Sequence, residues 1–144
     1  MDKTIVLYPD SSVSVAYVVL QREFKKESDL LNMQHAIEGA YTKYISEKKR
    51  FALVFNAEFI NYVGPTYLKK FALWMADKKD INTQYLVGSF IIIKTPFARA
   101  CIKTILSFFH PARPYYVCDS AESVNTKINN MPELRQSQIR YPTQ

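Results

Sequence analysis

Few residues of this sequence could do chemistry, and their spacing does not assemble a catalytic set. The two cysteines, Cys101 and Cys118, form no Cys-x-x-Cys pair and have no matching pair of histidines, so a metal site is not expected. There is no glycine-rich phosphate loop, nucleophile elbow or HExxH motif, and only three glycines are present, which excludes a dinucleotide fingerprint. His35 lies off the apolar stripe of its predicted helix and has no partner nearby. We therefore expect a protein that is not an enzyme and that needs no cofactor or metal.

One hydroxyl group lies at a position where open α/β folds bind ligands and partners. Thr66 follows Gly64, which allows a tight turn, and Pro65, which suits the first position of a helix. Its hydroxyl would lie near the amides of the first helical turn, as that of an ordinary helix-start residue also would. Because partners often contact such strand-to-helix turns, Gly64, Thr66, Tyr67 and Lys70 are candidates for a partner-binding surface.

A second candidate surface lies on segment 95–109, which is predicted to be a helix with apolar residues around most of its circumference. Burial in the core is the simplest interpretation. Alternatively, part of this helix faces a protein partner, a second copy of the chain, a membrane surface or an apolar ligand. The candidate contacts are the apolar residues Phe97, Ile105, Phe108 and Phe109 and, for a phosphate group, the basic residues Arg99, Lys103 and Arg113.

Hydrophobic periodicity predicts the elements that position these residues. Strands are predicted over 4–8, 13–20, 51–55, 84–94 and 114–117, and the first two form a hairpin. Helices are predicted over about 28–47, 65–76, 95–109 and 121–129, and the polar segment 77–83 is predicted to end the second helix. Strand 84–94 is expected in the middle of the sheet. The order β-β-α-β-α-β-α-β-α predicts an α/β domain with a mixed, mostly parallel sheet of about five strands covered by helices.

Length and composition fit one globular domain. The chain has 144 residues, of which 48% are apolar and 22% charged. We expect the domain to span 1–131 and a polar tail to span 132–144. The net charge of +6 comes from scattered lysine pairs, which favour solvated helix faces over a nucleic-acid interface. No secretory signal and no apolar run of membrane-spanning length is present, so a cytoplasmic location is expected.

The segment LVFNAEFINYVGPTYLKKFALW, which begins at Leu53, resembles the central segment of STAS domains, the fold of anti-sigma-factor antagonists. In those domains a buried strand leads through a short loop to a phospho-acceptor turn and a helix, and Thr66 falls on the phospho-acceptor position. The turn here carries Gly64 in place of the family's acidic residue, Pro65 at its first serine and Tyr67 at its glycine. The second half, VGSFIIIKTPFARACIKTILSFFHPARPYYVCDSAESVNTKI, resembles the STAS-like group related to CRAL-TRIO lipid carriers. Together the resemblance covers about residues 4–128.

The resemblance implies two alternative functions. STAS domains imply a regulatory module that binds a protein partner through the strand, turn and helix around Thr66, and this is our first expectation. The CRAL-TRIO kinship implies binding of a lipid or another apolar ligand, or docking on a membrane, through the apolar helix 95–110. A homodimer formed through that same helix is a third alternative.

Overall fold

Five strands form one sheet, in which each strand lies beside the strand that precedes it in the sequence. The computed structural model describes residues 5–8, 12–21, 23–60 and 64–135, with only the backbone for Phe108, Phe109 and Arg135. The strands are β1 (Ile5–Leu7), β2 (Val15–Val19), β3 (Phe51–Asn56), β4 (Leu86–Ile92) and β5 (Tyr115–Cys118). β1 is antiparallel to β2, and all other neighbours are parallel. The predicted α/β class, the opening hairpin and the mixed, mostly parallel sheet are confirmed.

Helices connect the parallel strands. They are α1 (Glu27–Ser46), α2 (Pro65–Ala76), α3 (Lys79–Tyr85), α4 (Pro96–Phe109) and α5 (Ala121–Asn129), followed by a 3-10 helix over Pro132–Arg135. Each new parallel strand is added at the same edge of the sheet. Right-handed crossover connections therefore place the connecting helices on the same face of the sheet. Accordingly, α1, α2 and α4 pack on one face, while α5 and the 3-10 helix cover the other. None of the described helices is long and apolar enough to cross a membrane.

The start of α1 shows how local sequence fixes a helix end. The Asp29 carboxylate accepts hydrogen bonds from the backbone amides of Lys25 and Lys26, at 2.8 and 3.2 Å. Asp29 therefore caps the helix from its third position, and α1 begins slightly earlier than predicted. The buried stripe of α1 is the predicted one and consists of Leu30, Met33, Ile37, Ala40, Tyr41 and Tyr44. His35 is exposed, as predicted.

Three details differ from the sequence-based expectation. Strand β4 is an interior strand, but the middle strand of the sheet is β3. The apolar run of β4 indicates that helices cover both of its faces, and it does not indicate a central position in the sheet. The polar segment 77–83 is not simply the end of α2 but contributes most of a separate helix, α3. The packed domain extends past residue 131, because Leu134 is fully buried and its carbonyl accepts a hydrogen bond of 2.9 Å from the Ser14 amide. Residues 136–144 of the predicted tail lie outside the described part of the chain.

Candidate functional site

Helix α2 covers the sheet loosely, and space is left beneath it. Ala72 is the fully buried residue of α2, while the larger side chains of Phe71, Trp74 and Met75 are half-buried. Two adjoining cavities lie between α2, α4 and the sheet. Both cavities are lined by the same four apolar side chains, namely Phe55, Phe71, Ile91 and Leu106. These four side chains lie between the two cavities, so the cavities are neighbours under the helix.

The smaller cavity lies at the carboxyl ends of β2 and β3 and has a volume of about 100 Å³. The ring of Tyr67 packs edge-on against Phe24 here, with 5.8 Å between ring centroids. Apart from the hydroxyl of Tyr67, the side chains that line this cavity are apolar. In addition to the shared wall, the lining residues are Leu20, Phe24, Met33, Ala57, Ile60, Gly64, Tyr67, Leu68 and Ile102.

The larger cavity lies at the amino ends of β4 and β5 and has a volume of about 280 Å³. Part of its wall is apolar and is provided by α2 and by Leu86. The shared apolar residues, Pro111 and Ala112 also line it, and six other lining residues have polar side chains. No aspartate or glutamate is among its described lining residues. The polar side chains are Lys79, Asn82, Ser89, His110, Arg113 and Tyr115.

Two of these polar residues are held by hydrogen bonds within the protein. Arg113 Nε–H donates to the Leu86 carbonyl at 2.8 Å, which fixes the guanidinium at the first residue of β4. Asn82 accepts a hydrogen bond of 2.6 Å from the Tyr41 hydroxyl and donates one of 3.3 Å to the Met75 carbonyl. Burial raises the pKa of Tyr41 well above its ordinary value, so the hydroxyl stays protonated and donates to Asn82 at neutral pH.

His110 completes the rim of the larger cavity from the end of α4. It adopts a left-handed backbone conformation with φ 43°, and its amide bonds to the Leu106 carbonyl at 3.2 Å. A left-handed residue at this position ends a helix and is normally glycine or asparagine. The exposed imidazole of His110 therefore reaches the rim through a helix-ending turn.

The predicted partner-binding residues around Thr66 have different surroundings. Thr66 is exposed on the first turn of α2, which Gly64 precedes without a side-chain cap. Gly64 and Tyr67 instead line the smaller cavity. Lys70 forms an ion pair of 2.7 Å with Glu27 of α1. Residues 61–63 of the predicted turn lie outside the described residues.

The predicted apolar surface of α4 is only partly exposed. The side chain of Phe97 is 60% exposed, whereas Ala98 and Ile102 are buried under α2 and the sheet. Ile105 is half-buried. The side chains of Phe108 and Phe109 lie outside the described part of the structure. Burial in the core thus accounts for one stripe of this helix, and Phe97 lies on its exposed side.

The structure separates the three predicted phosphate-binding residues. Arg99 Nη2 donates to the Ile93 carbonyl at 3.1 Å, just beyond the carboxyl end of β4. Arg113 bonds to Leu86 at the opposite end of the same strand. Lys103 is exposed on α4 and lines neither cavity described above. A single phosphate site that contains all three residues is therefore not formed. The buried Nε of Arg99 has no hydrogen-bond partner within the described part of the chain.

The described residues contain no cluster of side chains suited to metal binding or to thiol chemistry. No group of three or more His, Cys, Asp and Glu side chains there could hold a metal ion. Both cysteines are free; Cys118 is buried and Cys101 is half-buried.

Sequence reasoning missed Lys79, Ser89 and Tyr115 as site residues, because they come from three separate elements. The available sequence signal for this site was Arg113, a basic residue at the end of the turn over 110–113 and next to the start of β5.

A comparison of the chain with protein-family models, curated proteins and solved structures finds no match. The candidate site therefore rests on the geometry of this chain.

Proposed function

We propose that this protein is a non-enzymatic binding protein that holds an apolar ligand between helix α2 and the sheet. The observation that carries this proposal is the pair of adjoining cavities with a shared wall of Phe55, Phe71, Ile91 and Leu106. The apolar-ligand alternative predicted from the sequence used the outside of α4. The cavities favour the inside of that helix, where Ile102 and Leu106 contribute to the lining.

Calorimetric titration with the neutral apolar probe N-phenyl-1-naphthylamine tests this proposal. Leu106→Trp places a larger side chain in the wall that both cavities share, and it is expected to weaken probe binding at least tenfold. Thr104→Trp is the matched control, since Thr104 is exposed on the same helix and lines neither cavity. Circular dichroism of both variants is the check that they fold.

Three results would overturn the proposal. The first is the absence of probe binding to the unmodified chain. The second is equal loss of binding in Leu106→Trp and Thr104→Trp, because this would place the probe on the outer surface of α4. A probe that remained bound in Leu106→Trp with unchanged affinity would likewise exclude the space under α2.

We also propose a second function, in which a STAS-like partner surface lies at the start of α2. The supporting observation is the exposed Thr66 side chain on a first turn that, among the described residues, has no side-chain cap. Helix N-termini favour anions, and a phosphate on Thr66 would meet the first-turn amides there. The sequence resemblance to STAS domains is part of this proposal.

Photo-crosslinking tests the second function. A photoreactive residue at position 66 is expected to give a discrete adduct with one protein in cells that produce this chain. The same residue at position 104 is the control, since Thr66 and Thr104 are both exposed at helix positions. Equal adducts from both positions, or none from position 66, would contradict a partner surface at Thr66.

A cytoplasmic location completes the proposal. The two free thiols support it, because reducing compartments keep cysteines unpaired. Cell fractionation followed by detection of the chain in the membrane or secreted fraction would contradict it.

A further inference from the structure

The two neighbouring cavities beneath α2 are chemically different. The smaller cavity, at the carboxyl ends of the strands, is lined almost entirely by apolar side chains. The larger cavity, at the amino ends, carries the basic side chains of Lys79 and Arg113 together with the hydroxyls of Ser89 and Tyr115. A molecule that lay along the shared wall would have its two ends in these different surroundings.

The basic end has no acidic partner among the described residues. Neither Lys79 nor Arg113 forms an ion pair with them, in contrast to Lys70 and Lys78, which pair with Glu27 and Glu38. No described residue of the larger cavity's wall is a carboxylate. A half-buried guanidinium beside an apolar wall is a favourable place for an anion, because the surroundings screen charge less than water does.

Arg113 is oriented for such a contact. Its Nε–H donates to the Leu86 carbonyl at 2.8 Å, so one of the five guanidinium donors holds the side chain in place. The other donors belong to the planar fork that binds carboxylate or phosphate oxygens in pairs. Asn82 is different, because its side chain is already bonded to Tyr41 and Met75. Arg113 is therefore the principal candidate for the anion contact, and Lys79 the second.

We propose that the ligand is an amphiphile with an anionic head group, a carboxylate or a phosphate monoester. Arg113 and Lys79 bind the head group in the larger cavity, and the apolar chain runs along Phe55, Phe71 and Ile91 toward the smaller cavity. The five residue steps from Leu86 to Ile91 of β4 span about 17 Å, which suits an unbranched chain of medium length. This inference rests on the proposed binding of an apolar ligand and adds the chemistry of its polar end.

The test compares ligands that differ only in the head group. Calorimetric titration uses decanoate, decyl phosphate and the uncharged 1-decanol, all below their aggregation concentrations. The better of the two anions is expected to bind about tenfold more tightly than 1-decanol, the size of one charge-assisted hydrogen bond. The two anion arms distinguish a free fatty acid from a phosphorylated head group.

Variants then assign the preference to a residue. Arg113→Gln is expected to lower the affinity for the anion about tenfold and to leave that for 1-decanol unchanged, because only the charged contact is lost. Lys79→Gln is expected to have a smaller effect of the same kind. Lys103→Gln removes an exposed cation that lines neither cavity and is expected to change nothing. If Arg113→Gln does not fold, Arg113→Lys, which keeps the charge but loses the fork, replaces it and is expected to bind the anion more weakly than the unmodified chain.

The outcomes separate the two proposals. If 1-decanol and N-phenyl-1-naphthylamine bind but neither anion binds more tightly than 1-decanol, the head-group inference is overturned and apolar binding stands. An Arg113→Gln variant that loses the anion and 1-decanol equally also overturns it. If none of the probes binds, the proposed function itself is wrong.

Discussion

The Tyr41 hydroxyl donates a hydrogen bond of 2.6 Å to Asn82 Oδ1, and this bond joins α1 to α3 inside the core. Asn82 is 3% exposed, and its amide also donates to the Met75 carbonyl. One buried amide thus ties together the end of α2, the short helix α3 and the long helix α1. The same contact fixes the wall of the larger cavity at which Asn82 lies.

Removing the hydroxyl of this pair is expected to destabilise the fold. Tyr41→Phe leaves the Asn82 Oδ1 buried without its donor, so the free energy of unfolding should fall by about 1–3 kcal/mol. Urea denaturation measures this change. Tyr17→Phe is the control, because Tyr17 donates a bond of 2.8 Å to Asn125 Oδ1 in exposed surroundings, where water can replace it. Equal losses in the two variants would contradict a special role for the buried pair.

Alkaline pH is expected to destabilise the protein through two buried tyrosines. Burial is the main cause that raises the pKa of Tyr44 to about 12 and the pKa of Tyr41 well above 10. Above pH 10 the unfolded chain therefore loses tyrosine protons that the folded chain retains, and stability decreases as pH rises. The contribution is fully present below pH 10 and, for Tyr44, is lost as pH rises to about 12.

Urea denaturation at a series of pH values measures this slope. Each tyrosine is expected to contribute at most about 1.4 kcal/mol per pH unit in the alkaline window. Tyr44→Phe should make the slope shallower, although it also removes the bond of 3.1 Å to the Val15 carbonyl and so lowers stability at neutral pH. An unchanged alkaline slope in Tyr44→Phe would refute the assignment.

Two glycines are expected to respond to alanine with opposite signs. A methyl group at Gly39, on the exposed side of α1, would meet no atom within 4 Å. Gly39→Ala should therefore raise the free energy of unfolding by about 0.5–1 kcal/mol. A methyl group at Gly88 would lie 3.2 Å from the Pro114 carbonyl oxygen, which already accepts a bond from the Ser89 amide. Gly88→Ala should lower stability by about 1–3 kcal/mol.

Thermal and chemical denaturation of both glycine variants provides the measurement. A stabilised Gly88→Ala would show that the β4–β5 contact has room for a side chain. A destabilised Gly39→Ala would contradict the open surroundings of that helix position.

The segment beyond residue 131 is expected to contribute strongly to stability. Leu134→Ala removes a fully buried side chain from the cluster under α5, so the free energy of unfolding should fall by about 2–5 kcal/mol. Glu133→Ala is the neighbouring control, and it removes only a surface ion pair of 3.9 Å with Arg50. Such a pair contributes less than about 1 kcal/mol. Similar effects of the two substitutions in urea denaturation would mean that Leu134 is not part of the core.

Local signals predicted much of this fold. Thr95 and Ser120 are residue types that favour the position before a helix, and each side chain accepts a bond from an amide three residues on, at the start of α4 and of α5. Gly64 and Pro65 marked the start of α2 correctly. These features depend on a few neighbouring residues, which is why the sequence shows them without knowledge of the tertiary structure.

The parts that sequence reasoning missed depend on contacts between distant elements. Helix α3 was not predicted, because its seven residues bury only Asn82 and have no apolar period. Arg99 and Arg113 were grouped because one lies in α4 and the other follows it, but the two side chains bind at opposite ends of β4. The cavity under α2 is lined by residues from both halves of the chain, and no local pattern indicates a space between them.

The strand order has a consequence for how the chain can fold during its synthesis. Each strand of the described sheet pairs with the one made just before it, so no strand needs a partner that has not yet left the ribosome. The sheet can therefore grow from one edge toward the other, with α1, then α2 and α3, and then α4 each closing over the newest pair. Contacts between consecutive units keep the loops to be closed short, which favours fast folding. The last step differs from the earlier ones. After the sheet is complete, α5 and Leu134 pack on the opposite face and cover it.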